Sequence, residues 1–374
     1  MTDSGSPRER IDFSRADDPR DVVHRAVAEL AQGGCLGVAG SRGVRLAALS
    51  LHPQAVATLE QDAAPGDFNP RSAPVVLLRG VEEAADWVPN LRPLGARLLR
   101  RAWPGPVVFV VESGVEEGLL GRLDPAVRSL FGDPARLALN LPESPFLREV
   151  VRLLPGPLIL RSIAPSALDG DRLGPCRLLI DEPLSCGSDD TWVQLEAQGW
   201  NVLMEGSVEA SAFTRMAATT ILFVCTGNTC RSPMAEALCK VLLAERLGCT
   251  IDALPERGFV VASAGIAAIA GMPAAGNALD VVRSRGGSLQ GHVSRRLTLN
   301  DLVAADHILA MTSDHLETLR DHAPDSCSRA RLLHPEGDDV ADPVGSDRPT
   351  YQRTAEAIES YLERFLDSIL DRSN

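Results

Sequence analysis

The sequence predicts two α/β domains, the second of which is a doubly wound parallel sheet. At 374 residues the chain is longer than one hydrophobic core usually organises. After Ala218, apolar strand runs alternate regularly with helical patterns, which is typical of a parallel sheet covered on both faces. Before Ala218, short apolar runs and helical segments are mixed less regularly, which still favours an α/β domain.

The composition is that of a globular protein, with 45% hydrophobic and 23% charged residues. The net charge of −13 argues against nucleic acid as the main partner, because sequence-independent binding to a polyanion needs a field of Lys and Arg. No window approaches the roughly 18 apolar residues that span a bilayer, and the N-terminus has no apolar signal segment. We therefore expect a cytoplasmic protein with no membrane partner.

The eight cysteines lack the dense spacing of a secreted disulfide scaffold and have no His or Cys partner at zinc-finger spacing. Reduced thiols without a metal are therefore expected. The 37 basic residues are one lysine, Lys240, and 36 arginines. The N-terminal half consequently contains no lysine, which limits the chemistry expected of it.

Residues 1–20 are rich in Ser, Arg and Asp without apolar periodicity, which predicts a disordered tail. The first domain is expected over residues 21–216. Its predicted elements are a helix at 21–32, strands at 35–39 and 74–78, a helix at 92–101, a strand at 106–111, a helix at 145–153 and a strand at 156–160.

The second domain is expected over residues 219–374. Its predicted elements are a strand (Thr220 to Val224), a helix (Pro233 to Leu247), a strand (Phe259 to Ala262), a helix (Pro273 to Arg285), then strand, helix, strand and a last helix (Tyr351 to Leu370). In doubly wound sheets the ligand lies beyond the carboxyl ends of the strands. Cys225 directly follows the first of these strands.

Cys225 precedes Arg231 by six residues, a spacing that is common by chance in so arginine-rich a chain. The surrounding residues strengthen the signal. Gly227 and Asn228 favour a tight turn, and Ser232 followed by proline predicts a helix that begins with an N-cap hydroxyl. A strand, a loop and a helix N-terminus in this order direct backbone N–H groups toward a phosphate dianion.

Each residue of this loop then has an expected role. Cys225 is the candidate nucleophile, with its thiolate stabilised by the loop amides, the helix end and the Ser232 hydroxyl. Arg231 has the planar fork that holds two phosphoryl oxygens. Asp342, in an Asp-Pro turn before the last helix, is the candidate proton donor to the leaving group. The expected phosphate-binding residues are Thr226, Gly227, Asn228, Thr229, Cys230 and Ser232.

Residues 219–374 resemble the low-molecular-weight protein phosphatases throughout their length. The shared motifs are Cys-x5-Arg-Ser at 225–232, Ser263-Ala-Gly265, His292-x-Ser294-Arg295 and Asp342-Pro343. The resemblance implies a flavodoxin-like fold and phosphorylated proteins as partners. It also implies a phosphocysteine at Cys225, phosphate clamping by Arg231 and acid then base action by Asp342. No metal or organic cofactor is implied.

Thr229 indicates which phosphorylated side chain is the substrate. Tyrosine phosphatases of this type usually carry Ile at that loop position, whereas bacterial protein-arginine phosphatases resemble this chain in Cys-Thr-Gly-Asn-Thr-Cys-Arg-Ser. Gly345-Ser346 also resembles the arginine branch, but Val344 stands where that branch often has an aromatic residue. Phosphoarginine is the preferred interpretation, and phosphotyrosine is the alternative.

Cys230 has two interpretations. It is either a resolving thiol that protects an oxidised Cys225 as a disulfide, or a small buried residue in a tight loop. His292, His307 and His334 are expected to be structural or exposed, because none has a clear triad partner.

Residues 21–216 resemble the YrdC-like threonylcarbamoyl-AMP synthase family, most clearly in Arg101-Ala-Trp103-Pro-Gly-Pro106. The active positions of that family differ. Its Pro-Thr-Asp/Glu-Thr is Ala39-Gly-Ser-Arg42 here, its Lys-x-Arg falls near Asp67 to Asn69, its strand Arg is Asn140, and its Ser-x-Asn is Ser162-Ile-Ala164. Chemistry on ATP needs cationic groups around the phosphates.

We therefore expect a first domain that keeps the fold without synthase activity, joined to an active phosphatase. The alternative is a bifunctional protein whose first domain is an active L-threonylcarbamoyladenylate synthase for tRNA modification. A third hypothesis is a phosphate-binding module without turnover.

Overall fold

The structure is a computed structural model that describes residues 9–40, 43–60, 68–112, 117–132, 136–163, 176–182, 189–197 and 199–370. The chain divides into two compact units, Met1–Phe213 and Thr214–Asn374. Each unit has its own sheet and its own hydrophobic core.

The first unit is built on a ten-stranded sheet, counted over the described ranges. Its strands are β1 (Glu9–Asp12), β2 (Cys35–Gly40), β3 (Gly43–Leu49), β4 (Val75–Leu77), β5 (Val107–Val111), β6 (Leu137–Asn140), β7 (Leu158–Ile163), β8 (Cys176–Asp181), β9 (Thr191–Glu196) and β10 (Gly199–Met204). Its helices are α1 (Pro19–Ala31), α2 (Pro53–Ala57), α3 (Ala84–Trp87), α4 (Pro93–Ala102), α5 (Pro125–Arg128) and α6 (Pro145–Leu153), and α7 (Ala210–Ala217) crosses the unit boundary.

The sheet of the first unit is mixed, in the order β1-β8-β2-β3-β7-β4-β6-β5-β9-β10. Strand β2, for example, pairs parallel with β8 and antiparallel with β3. Helices α1 and α6 bury their apolar faces in one core, with Leu30 and Phe146 both fully buried. The predicted strands fall in β2, β4, β5 and β7, and the predicted helices in α1, α4 and α6.

The prediction of a disordered tail is wrong for residues 9–20. Strand β1 pairs parallel with β8, and the Arg10 Nε donates to Asp181 Oδ2 at 2.6 Å. Helix α1 begins at Pro19, and the carboxylate of Asp18 caps it. The partners of this segment lie far along the chain, so local periodicity could not reveal them. Residues 1–8 lie outside the described residues.

The second unit contains a parallel sheet, as the sequence predicted, and its strand order is β12-β11-β13-β14. Its strands are β11 (Thr219–Cys225), β12 (Phe259–Gly265), β13 (His307–Ala310) and β14 (Ala330–Leu332). Its helices are α8 (Arg231–Leu247), α9 (Gly276–Arg283), α10 (Leu299–Ala304), α11 (Ser313–His322) and α12 (Arg348–Leu370). The strand order reverses beside β11, which makes the carboxyl end of β11 the switch point.

Alternating residues of β11 face two different cores. Ile221 and Phe223 pack with α8, α9 and α12, whereas Leu222 and Val224 pack with α10 and α11. Successive side chains of a strand point to opposite faces, so both faces of the sheet are covered by helices. No helix among the described residues combines the length and the apolar character needed to cross a membrane.

Candidate active site

The loop 225–231, called the phosphate loop below, joins β11 to α8 and is shaped by Asn228. This residue is fully buried and has a φ of 55°, in the left-handed region that Asn tolerates better than most residues. Its amide donates to Ser232 Oγ at 3.0 Å and to Ser263 Oγ at 2.9 Å. Its Oδ1 accepts a bond from the backbone N–H of Arg295 at 3.0 Å. These bonds hold the turn of the loop from three sides.

The sulfur of Cys225 lies at the carboxyl end of the central strand with two hydrogen-bond partners. Its Sγ accepts the backbone N–H of Asn228 at 3.2 Å and lies 2.9 Å from Ser232 Oγ. The residue is only 3% exposed. Donors directed at a sulfur stabilise its anionic form, which is the nucleophilic one. The geometry therefore suits a reactive thiolate.

Ser232 is not the N-cap that the sequence predicted. Helix α8 begins at Arg231, and its N-cap residue Cys230 makes no side-chain capping bond. The turn at Asn228 instead brings the Ser232 hydroxyl to the sulfur of Cys225 and to the Asn228 amide. The hydroxyl is therefore used in these two contacts and not in a capping bond, and the predicted contact between Ser232 and the candidate nucleophile is present.

Arg231 and Asp342 are in direct contact. The Arg231 Nη2 donates to Asp342 Oδ2 at 2.5 Å, and Nη1 donates to the carbonyl of Val340 at 3.2 Å. Val340 is itself anchored to β13, because its N–H donates to the carbonyl of Met311 at 2.8 Å. The arginine is 6% exposed, whereas the Asp342 side chain is 42% exposed. The predicted phosphate clamp and the predicted acid thus share one site.

Contact with the phosphate loop explains why the Ser263-Ala-Gly265 motif ends in glycine. A Cβ at Gly265 would lie 2.6 Å from the carbonyl oxygen of Thr226 and 3.0 Å from the backbone nitrogen of Asn228. The chain after β12 is also bonded to the loop, since the Ile266 N–H donates to the carbonyl of Cys225 at 2.9 Å. Only glycine allows this close approach.

Two predicted structural histidines lie away from the phosphate loop and one touches it. The rings of His307 and His334 pack against Phe365 and Tyr361. His292 Nε2 lies 2.9 Å from the carbonyl oxygen of Asn228, to which it donates. His292 therefore supports the loop backbone.

Sequence reasoning missed His315, which is 7% exposed. Its Nε2 lies 2.8 Å from Thr226 Oγ1, and its Nδ1 lies 2.8 Å from Thr312 Oγ1. Burial and the nearby charge of Arg231 lower the pKa of His315 below its ordinary value. A usable signal existed: residues that follow neighbouring parallel strands meet at one edge of the sheet, and Thr312 and His315 follow β13.

The other loop residues differ in exposure. Thr226 is exposed, Gly227 and Thr229 are half-buried, and Cys230 is buried. The Cys230 Sγ lies 3.1 Å from the hydroxyl of Tyr351, and burial together with this contact raises the pKa of Tyr351. The contact places Cys230 in the packing between the loop and α12. Its role as a resolving thiol stays a prediction.

The first unit contains a cavity of about 370 Å³, part of whose lining is Arg10, Asp12, Gly40, Asp181 and Glu182. The guanidinium of Arg10 is paired with Asp181 in two hydrogen bonds. Among the described residues, the charged lining residues are three carboxylates and this one arginine, a net negative charge that does not suit a nucleotide phosphate.

Asn140, which the sequence resemblance aligns with an arginine of the synthase family, is buried and donates to the carbonyls of Gly105 at 3.1 Å and Val107 at 2.8 Å. It holds the Trp-Pro-Gly-Pro segment in place. The predictions that concern residues 41–42, Asp67 and Ala164 fall outside the described residues. Within the described ranges, no three His, Cys, Asp or Glu residues are grouped to hold a metal ion.

The known proteins to which this chain is similar match its second unit. The family model of the low molecular weight phosphotyrosine protein phosphatases matches residues 220–373. A protein-arginine-phosphatase of Geobacillus stearothermophilus is 33% identical over 153 residues, which cover 40% of this chain and 95% of that protein. The low molecular weight protein-tyrosine-phosphatase Etp of Escherichia coli K12 is 34% identical over 142 residues, which cover 37% of this chain and 87% of that protein.

Among solved structures, a YwlE mutant from Bacillus subtilis is 33% identical, covers 41% of this chain and 99% of that chain, and has a TM-score of 0.37. The family match does not reach residues 21–216. The assignment of that segment to the synthase family rests on its motifs alone and stays a prediction.

Proposed function

Because this chain belongs, through residues 220–373, to the low molecular weight phosphotyrosine protein phosphatase family, we propose that it hydrolyses phosphorylated protein side chains through a phosphocysteine at Cys225. The observation that carries this proposal is the sulfur of Cys225 at the switch point, in contact with the Asn228 N–H and the Ser232 hydroxyl. A module that only binds phosphate would not need a cysteine sulfur held by these two donors.

In the first step, the Cys225 thiolate attacks phosphorus and a P–S bond forms. The bond from phosphorus to the leaving oxygen or nitrogen breaks, and the protonated carboxyl of Asp342 gives its proton to that atom. Arg231 and the loop N–H groups hold the equatorial oxygens as charge redistributes. The products are the dephosphorylated side chain and phosphocysteine.

In the second step, a water molecule attacks the phosphorus of phosphocysteine. Asp342, now a carboxylate, removes a proton from this water, the P–S bond breaks, and the electron pair returns to the sulfur. The Asn228 N–H and the Ser232 hydroxyl stabilise the departing thiolate. Inorganic phosphate leaves, and the site is restored without an external reductant or cofactor.

We propose phosphoarginine as the substrate, with phosphotyrosine as the alternative. Support comes from Thr229, which is half-buried in the loop and places a small hydroxyl-bearing side chain where a larger aliphatic one would crowd the guanidino group. The relatives include a protein-arginine-phosphatase at 33% identity and a protein-tyrosine-phosphatase at 34%, so the preference rests on Thr229. Val344, 65% exposed beside Asp342-Pro343, stands where the arginine branch often has an aromatic residue, which keeps phosphotyrosine as the alternative.

The proposed activity is tested by hydrolysis of para-nitrophenyl phosphate by the full chain and by Cys225→Ser. The full chain is expected to turn over, and the substitution to lower kcat by at least about a thousandfold. An inactive wild-type protein that still binds phosphate would instead support the binding-module hypothesis.

For the first unit we propose an α/β domain without synthase activity, supported by the lack of any lysine in its sequence and by the structural role of Asn140. The full-length Cys225→Ser protein is incubated with ATP, threonine and bicarbonate. No pyrophosphate release above background is expected, and its stoichiometric release would establish the alternative of an active synthase.

A further inference from the structure

His315 lies beneath the phosphate loop, at the start of α11. Its backbone N–H donates to Thr312 Oγ1 at 3.4 Å, so the N-cap residue of α11 holds both the backbone and the ring of His315. The ring is buried between two hydroxyls, those of Thr312 and Thr226. Both ring nitrogens are therefore used, and the orientation of the imidazole is fixed.

Thr226 directly follows the proposed nucleophile, Cys225, and is the exposed residue of the phosphate loop. Its contacts with the protein therefore decide how firmly it is held. Its carbonyl accepts the N–H of Ala267 at 3.0 Å, which holds the backbone on the β12 side. The bond from His315 holds the side chain on the β13 side. The peptide that follows Cys225 is thus held from both neighbouring strands.

From this geometry we infer that His315 is a positioning residue for phosphate transfer, which acts by holding Thr226 and, through it, the loop amides that receive the phosphoryl group. The inference rests on the proposed phosphatase function. The imidazole does not touch the reacting atoms. Its contribution is to keep the N–H donors of the loop aligned for the phosphoryl group. Without His315 these donors would be less well preorganised.

The charges around His315 favour a neutral ring in this role. Burial and, after it, the charge of Arg231 lower the pKa of the ring, whereas Asp314, Asp339 and Asp342 act in the opposite direction more weakly. A neutral imidazole offers one N–H and one lone pair, which match two hydroxyls that each donate or accept. It adds no second cation beside the guanidinium of Arg231.

The test is a double-mutant cycle between His315→Leu and Thr226→Val in the full chain, with kcat/KM for para-nitrophenyl phosphate and the competitive inhibition constant of inorganic phosphate as readouts. Each single substitution is expected to lower kcat/KM by about tenfold and to weaken phosphate inhibition. In the double variant the second substitution should add little, because His315 acts through Thr226. His315→Gln, which keeps a donor and an acceptor, should recover most of the loss.

The control is His322→Gln, an exposed position at the end of the same helix, α11, where kcat/KM should not change. Fully multiplicative effects of His315→Leu and Thr226→Val, or equal losses in His315→Gln and His315→Leu, would overturn the inference. An inactive wild type would instead refute the proposed function, and phosphate binding measured by calorimetry would then still decide whether His315 and Thr226 are coupled.

Discussion

The guanidinium of Arg231 donates to the carboxylate of Asp342, with Nη2 and Oδ2 2.5 Å apart. One of these groups is the proposed phosphate clamp and the other the proposed acid. A phosphoryl group that binds in the loop competes with Asp342 for the same guanidinium, because both groups offer oxygens that suit its planar fork. Binding of the substrate to Arg231 therefore frees Asp342 from the ion pair, so that Asp342 can reach the leaving group.

Asp342→Asn should slow phosphorylation of Cys225 most for poor leaving groups. An amide cannot give a proton to the departing atom, so kcat/KM is expected to fall by about a hundredfold for alkyl phosphates and far less for para-nitrophenyl phosphate. The measurement is kcat/KM across aryl and alkyl phosphates of graded leaving-group basicity. Asp338→Asn, whose side chain is 80% exposed, is the control. An equal loss for all leaving groups would remove Asp342 as the acid.

Gly265→Ala should impair the phosphate loop although residue 265 touches no substrate. The added Cβ meets the backbone of Thr226 and Asn228, which must move, so kcat/KM is expected to fall by about tenfold or more. Gly276→Ala is a matched control, because a Cβ there meets nothing within 4 Å. Steady-state kinetics of both variants check the prediction, and unchanged activity in Gly265→Ala would show that the loop tolerates displacement.

The second unit should lose stability as the pH falls through the range in which histidine titrates. The folded state lowers the pKa of His315, so below about pH 6.5 the unfolded chain binds a proton more readily than the folded one. The stability from the neutral ring is fully present above about pH 6.5 and is lost as the pH falls toward the lowered folded value. His315→Gln should flatten this part of the profile.

The measurement for this prediction is urea unfolding between pH 5 and 8, monitored by hydrogen exchange in peptides from β11. These peptides belong to the second unit, so the first unit does not contribute to the signal. His322→Gln, which changes an exposed histidine of the same helix, is the control and should keep the wild-type slope. A slope that survives in His315→Gln would assign the proton uptake to another group.

Thr229→Ile should shift substrate preference from phosphoarginine toward phosphotyrosine. The larger aliphatic side chain crowds a guanidino group but not the phenolic oxygen of a phosphotyrosine, so the ratio of the two kcat/KM values is expected to fall by about tenfold. Matched phosphoarginine and phosphotyrosine peptides provide the measurement. Thr229→Ser, which keeps the hydroxyl, is the control, and an unchanged ratio in Thr229→Ile would show that another residue sets the preference.

The sequence was sufficient for the second unit wherever the signal was local. The apolar run of β11, the turn at Asn228 and the periodicity of α12 each depend on neighbouring residues, and the structure has them as predicted. The hydroxyl of Ser232 was misassigned as a helix cap because its true partners depend on the turn of the loop. His315 was missed because its contact with Thr226 joins residues that only strand order brings together.

In the first unit, more of the structure depends on contacts between residues that are distant in the sequence. The sequence predicts a disordered tail where strand β1 forms, because the partner of β1, strand β8, lies far along the chain. The antiparallel pairs of a mixed sheet leave no regular alternation of strands and helices from which to count elements. Burial of Asn140 and its bonds to the Trp-Pro-Gly-Pro segment likewise became visible only in three dimensions.

The central claim is that Cys225 carries the phosphoryl group. The most direct measurement is rapid acid quench of Asp342→Asn during turnover of para-nitrophenyl phosphate, followed by mass spectrometry of the peptide that contains Cys225. Loss of the base in the second step should let phosphocysteine accumulate, so a single phosphoryl adduct on Cys225 is predicted, with none in Cys225→Ser. Steady turnover without any adduct on Cys225, or undiminished turnover by Cys225→Ser, would contradict the account.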